Sequence, residues 1–231
     1  MPRLLALDTA TDTLYLALQA HGQVWTRQSP GGAQASAALL PLVRALLAQA
    51  GLALSDVQAL AYGQGPGAFT GLRTACSVVQ GLALGAGRPV LALDTLAAVA
   101  ESARRQGAQG RIWAMQDARM GEVYAAPYEW HDGQWTCCRE LALYRPEALA
   151  DVAGAPGVAW AGSALKVYAP LQRAGVPAWP DAVPDGAALL ALAQTAWQAG
   201  LGVEASQALP LYVRDKVAQT TAEREALRKA S

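Results

Sequence analysis

Two aspartates are the residues of this sequence whose types and surroundings could support phosphate chemistry. Asp8 ends the apolar run LLALD, Asp117 ends the run IWAMQD, and each precedes a turn and a further strand-like segment. Two carboxylates facing each other across a cleft could hold a hydrated Mg²⁺ beside phosphates. The alternative is that each aspartate accepts hydrogen bonds from its own turn. The second turn reads DARMGE, with Arg119 and Met120 where a phosphate-binding turn favours glycine and a small hydroxyl residue, so a working phosphotransferase is disfavoured.

A glycine-rich loop, GQGPGAFTG at 63–71, is the second candidate for phosphate binding. Glycines let successive backbone N–H groups point at one anion near the start of the following helix. However, the loop lacks the Lys-Ser/Thr pair of a P-loop, and no helix begins within its first glycines as a dinucleotide-binding fingerprint requires. The alternative is a tight Gly-Pro-Gly turn. We favour this second interpretation, in which the loop lets two backbones approach closely and leads into the next helix.

The helix predicted after this loop carries small residues four positions apart: Ser77, Gly81 and Gly85. Residues at this spacing share one helix face. Each glycine in a helix interior costs about 1 kcal/mol, so a gain elsewhere must offset that cost. Two interpretations remain open: the small face packs on the protein's own sheet, or it receives a helix from another subunit.

The residue counts exclude several classes of chemistry. His21 and His131 are the only histidines, and both lie in polar, turn-like contexts, so neither a histidine metal pair nor a histidine-based triad can be formed locally. Cys76, Cys137 and Cys138 lack the spacing of a disulfide framework or a zinc site. We therefore predict no catalytic residues and no metal ligands, which argues against a metallopeptidase.

Charge and hydropathy indicate a cytoplasmic protein without a broad nucleic-acid surface. Lys and Arg total 18, as do Asp and Glu, so no net positive field attracts a polyanion. The seven tryptophans are scattered along the chain and are interpreted as packing residues. The sequence shows no signal peptide and no apolar stretch of about 18 residues, so we expect no membrane association.

The alternation of strand and helix patterns predicts an α/β chain with two similar halves. Each half opens with a strand, an aspartate, a turn and a strand; Asp8 precedes Tyr15 by seven residues, and Asp117 precedes Tyr124 by seven. The segment RRQGAQGR at 104–111 is the best boundary, giving domains at 1–106 and 107–231. The run RDKVAQTTAEREALRK at 214–229 alternates in charge and predicts a solvated face, and the tail at 209–231 is expected to end in a charged helix.

Four segments together resemble the TsaB (YeaZ) family. They are LLALDTATDTLYLAL at 4–18, ALAYGQGPGAFTGLRTACSVVQGLALG at 59–85, AMQDARMGEVYAAPY at 114–128 and LPLYVRDKVA at 209–218. Members of this family are accessory subunits in bacterial synthesis of N6-threonylcarbamoyladenosine, a modified base of tRNAs that read codons beginning with A. The similarity runs in order over almost the whole chain. It departs from the family pattern at 35–37, which reads Ala-Ser-Ala where many relatives have His-Ser/Thr-Glu/Gln.

The resemblance implies a fold, a function and a set of partners. The fold would be actin-like (ribonuclease-H-like) and duplicated, with two α/β halves that have central mixed sheets. The chain would be the non-catalytic partner of the threonylcarbamoyltransferase TsaD, joined by the ATPase TsaE, and would contact tRNA through the complex. It would form a homodimer when alone, through the first-domain helices that also bind TsaD. The implied interface residues are Leu39, Val43, Leu46, Leu47, Arg73, Ser77, Gly81 and Gly85.

Nucleotide binding in the family is degenerate or shared with the partner. No cofactor is therefore expected to be required by this chain, and ATP or ADP with Mg²⁺ would bind weakly or at the partner interface. The candidate nucleotide or phosphate contacts are Asp8, Thr9, Gly65, Pro66, Gly67 and Asp117. The alternative function is an actin-fold ATPase or small-molecule kinase.

Overall fold

The computed structural model describes residues 1–214, and the charged helix predicted at the end of the tail lies outside the described residues. These 214 residues form two mixed β-sheets with helices packed against them. Among the helices of residues 1–214, none combines the length and the apolar composition needed to cross a bilayer.

The first sheet has five strands in the order β3-β2-β1-β4-β5. β1 pairs antiparallel with β2 and parallel with β4, and it is buried along its whole length. A strand covered on both faces needs a continuous apolar run, which LLALD supplies before its terminal aspartate. The edge strand β3 is mostly exposed and correspondingly polar. The bounds are Leu4–Asp8 (β1), Thr13–Ala20 (β2), Gln23–Pro30 (β3), Ala59–Gly65 (β4) and Val90–Asp94 (β5).

The second sheet repeats this arrangement around β6. Its order is β11-β10-β6-β7-β8, with β9 pairing with β7. β6 pairs antiparallel with the next strand, β7, and parallel with β10, as β1 does with β2 and β4. The bounds are Arg111–Arg119 (β6), Glu122–His131 (β7), Gln134–Cys137 (β8), Ala142–Tyr144 (β9), Val158–Ala161 (β10) and Ala178–Trp179 (β11).

The two opening hairpins differ in register although their aspartates have the same spacing in the sequence. Asp8 pairs with Tyr15, whereas Asp117 pairs with Val123. The second hairpin closes by a tighter turn, because β6 continues past an irregularity to Arg119. The equal spacing between aspartate and tyrosine in the sequence therefore predicted the second hairpin, but it did not predict which residues pair across that hairpin.

Both faces of the first sheet are covered by helices. Alternate residues of β1 divide between the faces: Leu5 and Leu7 pack with α1 and α2, and Leu4 and Ala6 pack with α3 and α6. Period-two alternation is the expected consequence of strand geometry. The helices are Ala35–Gln49 (α1), Phe69–Ala86 (α2), Thr95–Arg105 (α3), Pro146–Ala153 (α4), Ala164–Val167 (α5) and Gly186–Gln198 (α6).

The last helix, α6, packs on the first sheet although it follows the second sheet in the sequence. α6 lies after the second sheet in the sequence, yet Leu189 and Leu190 pack against the first sheet. Val203 then pairs with Val90, the first residue of β5. The boundary at 106/107 stays a prediction, but the segment 186–208 is attached to the first sheet. The sequence did not predict that the chain returns to the first sheet, because the apolar pattern of α6 would fit against either sheet.

Candidate functional site

The glycines of the 63–71 loop stand where another part of the chain passes too close for a side chain. A Cβ at Gly63 would overlap the Asp8 carboxylate, and one at Gly71 would overlap the Thr9 carbonyl oxygen. At Gly67 a Cβ would lie 2.5 Å from Ala10. These distances are far below van der Waals contact. The glycines therefore permit the close approach of β1 and its turn to the start of α2, as the sequence interpretation favoured.

Backbone groups of the loop are engaged within the protein. The N–H of Ala68 donates to the Ala10 carbonyl at 2.8 Å, and the Thr9 hydroxyl donates to the Gly71 carbonyl at 2.6 Å. These bonds tie the loop to the first hairpin. The arrangement locks the start of α2 to the sheet and gives the helix a fixed direction.

Asp8 is completely buried beneath the loop. Its Oδ1 accepts from the N–H of Ala10 at 2.7 Å, and its Oδ2 accepts from the Thr95 hydroxyl at 2.9 Å. Burial raises the pKa of Asp8 from 3.8 to about 6, while these two hydrogen bonds act in the opposite direction. A carboxylate enclosed in this way is poorly placed to coordinate a hydrated cation. The geometry matches the alternative that the aspartate caps its own turn.

Asp117 makes the equivalent bond in the second hairpin. Its Oδ1 accepts from the N–H of Arg119 at 2.8 Å, two residues on, as Asp8 accepts from Ala10. It also accepts from the Tyr168 hydroxyl at 2.8 Å. Burial, followed by the interactions with Asp117, raises the pKa of Tyr168 to about 12, so the phenol keeps its proton and remains a donor.

A cleft of about 280 Å³ separates the two hairpins. Of the predicted phosphate contacts, Gly67 and Asp117 line it, whereas Asp8, Thr9, Gly65 and Pro66 are buried. Asp12 and Arg119 form an ion pair between the two hairpins. The structure thus brings the two turns together but leaves most of the predicted contacts covered.

The exposed face of α2 carries the predicted small residues. Arg73, Ser77, Gly81 and Gly85 are exposed. Apart from the neighbouring backbone of α2 itself, no atom of residues 1–214 lies within 4 Å of the position that a Cβ would take at Gly81 or at Gly85. Leu84 on the same helix is 79% exposed. The protein's own sheet therefore does not account for the two glycines.

The α1 residues predicted to share this interface require a correction. Leu39, Val43, Leu46 and Leu47 are buried in the core between α1 and the first sheet. Their helical spacing identified the inward face of an amphipathic helix and not a surface. The outward face of α1 presents other residues, including Leu40, which is 45% exposed, and Arg44.

The chain returns after α6 to cross the glycine loop, a contact that sequence patterns did not reveal. The N–H of Leu211 donates to the Gln64 carbonyl at 2.7 Å, and the Tyr62 hydroxyl donates to the Leu209 carbonyl at 2.8 Å. The Tyr212 ring lies 4.8 Å from that of Phe69, and its hydroxyl accepts from Arg73 Nε at 3.0 Å. The segment 208–214 is therefore a strap that fixes the first turn of α2. The only sequence signal was the family motif LPLYVRDKVA.

Other candidate groups occupy structural positions. Cys76 is buried, and its thiol donates to the Ala208 carbonyl beneath the strap, consistent with its predicted core location. Burial raises the pKa of this thiol, which disfavours a nucleophilic role. In residues 1–214 no group of three His, Cys, Asp or Glu side chains is placed to hold a metal ion.

Comparison with protein families gives two consistent results. Residues 28–174 match the family model described as TsaD: tRNA N6-adenosine threonylcarbamoyltransferase. The chain is 34% identical to the tRNA threonylcarbamoyladenosine biosynthesis protein TsaB of Escherichia coli, over 94% of this chain and 96% of that protein. It is 31% identical to the protein of that name from Haemophilus influenzae, over 93% and 94% of the two chains.

Comparison with solved structures agrees with these matches. YeaZ from Pseudomonas aeruginosa superposes with a TM-score of 0.83 at 42% identity, covering 92% of this chain and 100% of that one. The two mixed sheets with equivalent opening hairpins, together with this match, confirm the predicted actin-like duplicated α/β fold. The chain belongs to the TsaB (YeaZ) family.

Proposed function

We propose that this protein is a non-catalytic subunit for the synthesis of N6-threonylcarbamoyladenosine in tRNA and that it acts by binding TsaD. The first part of the proposal is supported by near full-length similarity to proteins named for this biosynthesis. The partner is supported by the match to the TsaD family model over 28–174, which indicates a fold shared with TsaD.

The observation that carries the proposal is the exposed glycine face of α2. Gly81 and Gly85 each cost helix stability, and no other element within residues 1–214 approaches either position closely enough to require a glycine there. A helix from another subunit could approach this face closely, because no side chain stands in the way at either position. Ser77 extends the face toward the start of the helix, and Leu84 offers apolar surface beside it. The same face serves self-association when TsaD is absent.

The strap and the glycine loop support this role by fixing the direction of α2. The loop joins α2 to the first hairpin, and the strap holds Arg73 by a hydrogen bond from its Nε to the Tyr212 hydroxyl. The Arg73 guanidinium also lies 3.7 Å over the Phe69 ring. A side chain held in advance loses less conformational entropy when a partner binds. Arg73 is therefore the proposed polar contact at the edge of the α2 interface.

Catalysis is assigned to the partner. The enclosure of Asp8 and the ion pair between Asp12 and Arg119 disfavour the alternative of an ATPase or kinase. In this proposal TsaE joins the complex, ATP is used at the partner or its interface, and tRNA is held by the assembled complex.

The experiment is reconstitution of the modification from purified components. Mixing this chain with TsaD, TsaE, ATP, threonylcarbamoyl adenylate and unmodified tRNA should give the modified base, and omission of this chain should abolish repeated turnover. Asp8→Asn should retain the activity, because the carboxylate has no chemical role. Full activity without this chain, or Mg-dependent ATP hydrolysis by this chain alone that Asp8→Asn abolishes, would contradict the proposal.

A further inference from the structure

The strap at 208–214 contacts both halves of the molecule, and the change from one half to the other occurs between consecutive residues. Tyr212 contacts α2 of the first half: its ring lies 4.8 Å from the Phe69 ring, and its hydroxyl accepts from Arg73 Nε at 3.0 Å. Val213 packs instead against the core cluster that β6 and β7 share with α3. The strap therefore passes from α2 to the second opening hairpin.

Arg214 attaches the end of the strap to the turn of the second hairpin. Its Nη2 donates to Glu122 Oε2 at 2.6 Å and to the Arg119 carbonyl at 3.4 Å, and its Nη1 donates to the Met120 sulfur at 3.0 Å. The Arg214 side chain is 15% exposed, and that of Glu122 is 38% exposed. Hydrogen bonds between charged groups are stronger than neutral ones, and partial burial reduces their screening by salt. The bond to Glu122 is therefore a firm attachment.

The hairpin turn that receives Arg214 has an unusual backbone. Arg119 and Met120 both have positive φ, at 63° and 57°. A residue with a Cβ adopts this conformation at a cost in free energy, and it persists where surrounding contacts hold it. The bonds from Arg214 to this turn are contacts of that kind.

A cavity of about 240 Å³ lies beside the attachment. Its described lining residues come from the start of α2, from the turn of the second hairpin and from the strap. Because this space separates the start of α2 from the hairpin turn, the strap makes the connection between them on this side of the molecule.

We propose that Glu122 and Arg214 are positioning residues for the exposed face of α2. Neither side chain belongs to that face. Glu122 holds Arg214 at the end of the strap, and Tyr212 of the same strap holds Arg73 beside the start of α2. The inference rests on the proposed function in one respect, that Arg73 contacts TsaD.

This connection couples the cleft between the opening hairpins to the exposed face of α2. Arg119 lines the cleft, and its carbonyl accepts from Arg214. A displacement of the second hairpin that opens the cleft would therefore pull on the strap and release Arg73. By linkage, binding of TsaD favours the closed cleft by the same factor by which closure favours binding.

Hydrogen exchange and nuclear magnetic resonance on the ¹⁵N-arginine-labelled protein test the positioning. Glu122→Ala should speed exchange of the Leu211 amide and of the Arg73 Nε–H about 10-fold or more, the usual effect of losing a hydrogen bond between charged groups. Arg73→Lys identifies the Arg73 signal. Asp181→Ala is the matched control, because it removes the acid of an exposed ion pair with Lys166 elsewhere in the second half. It should leave both rates unchanged.

A double-mutant cycle separates positioning from a general loss of stability. If Glu122 acts through Arg214, Glu122→Ala should have no further effect on either rate once Arg214→Ala is present. Additive effects of the two substitutions, unchanged rates in Glu122→Ala, or an equal rise in exchange throughout β1 would overturn the proposal.

Titration calorimetry with TsaD extends the test to the interface. Glu122→Ala should weaken binding about 5-fold or more, a coupling of ordinary size between two sites. The loss is partial, because the Phe69 ring still contacts Arg73. With Arg73→Ala present, Glu122→Ala should weaken binding no further. Wild-type affinity in Glu122→Ala would overturn the inference. Failure of the wild type to bind TsaD would contradict the proposed function instead, and the exchange rates would still decide whether Glu122 positions Arg73.

Discussion

The carboxylate of Asp8 lies directly beneath Gly63, so close that a Cβ on the glycine would overlap Asp8 Oδ2. The relationship explains both residues at once: glycine is required because the aspartate is there, and the aspartate is buried because the loop covers it. The glycine loop thus works with Asp8 as part of the packing that fixes α2.

The pH dependence of stability tests the enclosure of Asp8. Burial raises its pKa from 3.8 to about 6 in the folded state, so the folded protein binds this proton more tightly than the unfolded chain does. The free energy of unfolding therefore falls as pH rises between about 4 and 6, and above that range the charged carboxylate costs on the order of 3 kcal/mol.

Asp8→Asn imitates the protonated form and should remove this cost. We expect the variant to be more stable than the wild type near neutral pH, with the difference shrinking or reversing at about pH 4. Urea unfolding of both proteins at the two pH values measures this difference. Subtracting one protein's values from the other's cancels the contribution of other titrating groups, such as the half-buried Asp94. A stability difference that does not vary with pH would show that the Asp8 carboxyl is not enclosed as described.

Gly71→Ala should destabilise the protein by about 3 kcal/mol or more, because its Cβ would collide with the Thr9 carbonyl and neither backbone can move freely. Thermal or urea unfolding gives the measurement. Gly81→Ala is the matched control in the same helix, where the added methyl group meets open space. Equal effects of the two substitutions would refute the packing role assigned to the loop.

Gly81→Ala should increase the free energy of unfolding by about 0.5–1 kcal/mol, because alanine has the higher helix propensity and no clash occurs. The same substitution should weaken binding to TsaD, since the added methyl group enters the proposed interface on the exposed face of α2. Unfolding in urea and titration calorimetry report the two effects separately. Greater stability with unchanged affinity would mean that the glycine is not needed for close approach.

Tyr212→Ala should release the strap from α2. The variant loses the hydrogen bond with Arg73 and the ring contact with Phe69. We expect the amide of Leu211, bonded to the Gln64 carbonyl, to exchange its hydrogen at least about 10-fold faster, because local opening becomes easier. Hydrogen exchange followed by mass spectrometry measures this rate, and Tyr212→Phe should show a smaller change. Unchanged exchange in Tyr212→Ala would mean that the strap is held by other contacts.

Parts of the fold could be predicted from the sequence where a local pattern is compatible with only one structure. The repeated strand, aspartate and turn predicted the duplicated hairpin, and the two aspartates cap their turns with the same hydrogen bond. The stripe of Ser77, Gly81 and Gly85 predicted a shared helix face, which the structure shows to be exposed.

Other features depend on contacts between distant segments and had no local signal. The apolar spacing of Leu39 and Val43 is the same for a core face and for a partner face, and the structure assigns it to the core. The strap crosses to the loop over a separation of 147 residues between Tyr62 and Leu209. The pairing of Trp130 with Trp135 across β7 and β8 was more accessible from the sequence, because Asp132-Gly133 forms a two-residue hairpin turn that sets this register.

The affinity of Gly81→Leu for TsaD is the most direct test of the central claim, that the open face of α2 seats a helix of the partner. We expect binding measured by titration calorimetry to weaken at least about 100-fold, equivalent to roughly 3 kcal/mol of overpacking. Ala148→Leu, which enlarges an exposed residue of α4, should bind as the wild type does. Wild-type affinity of a folded Gly81→Leu variant would contradict the account.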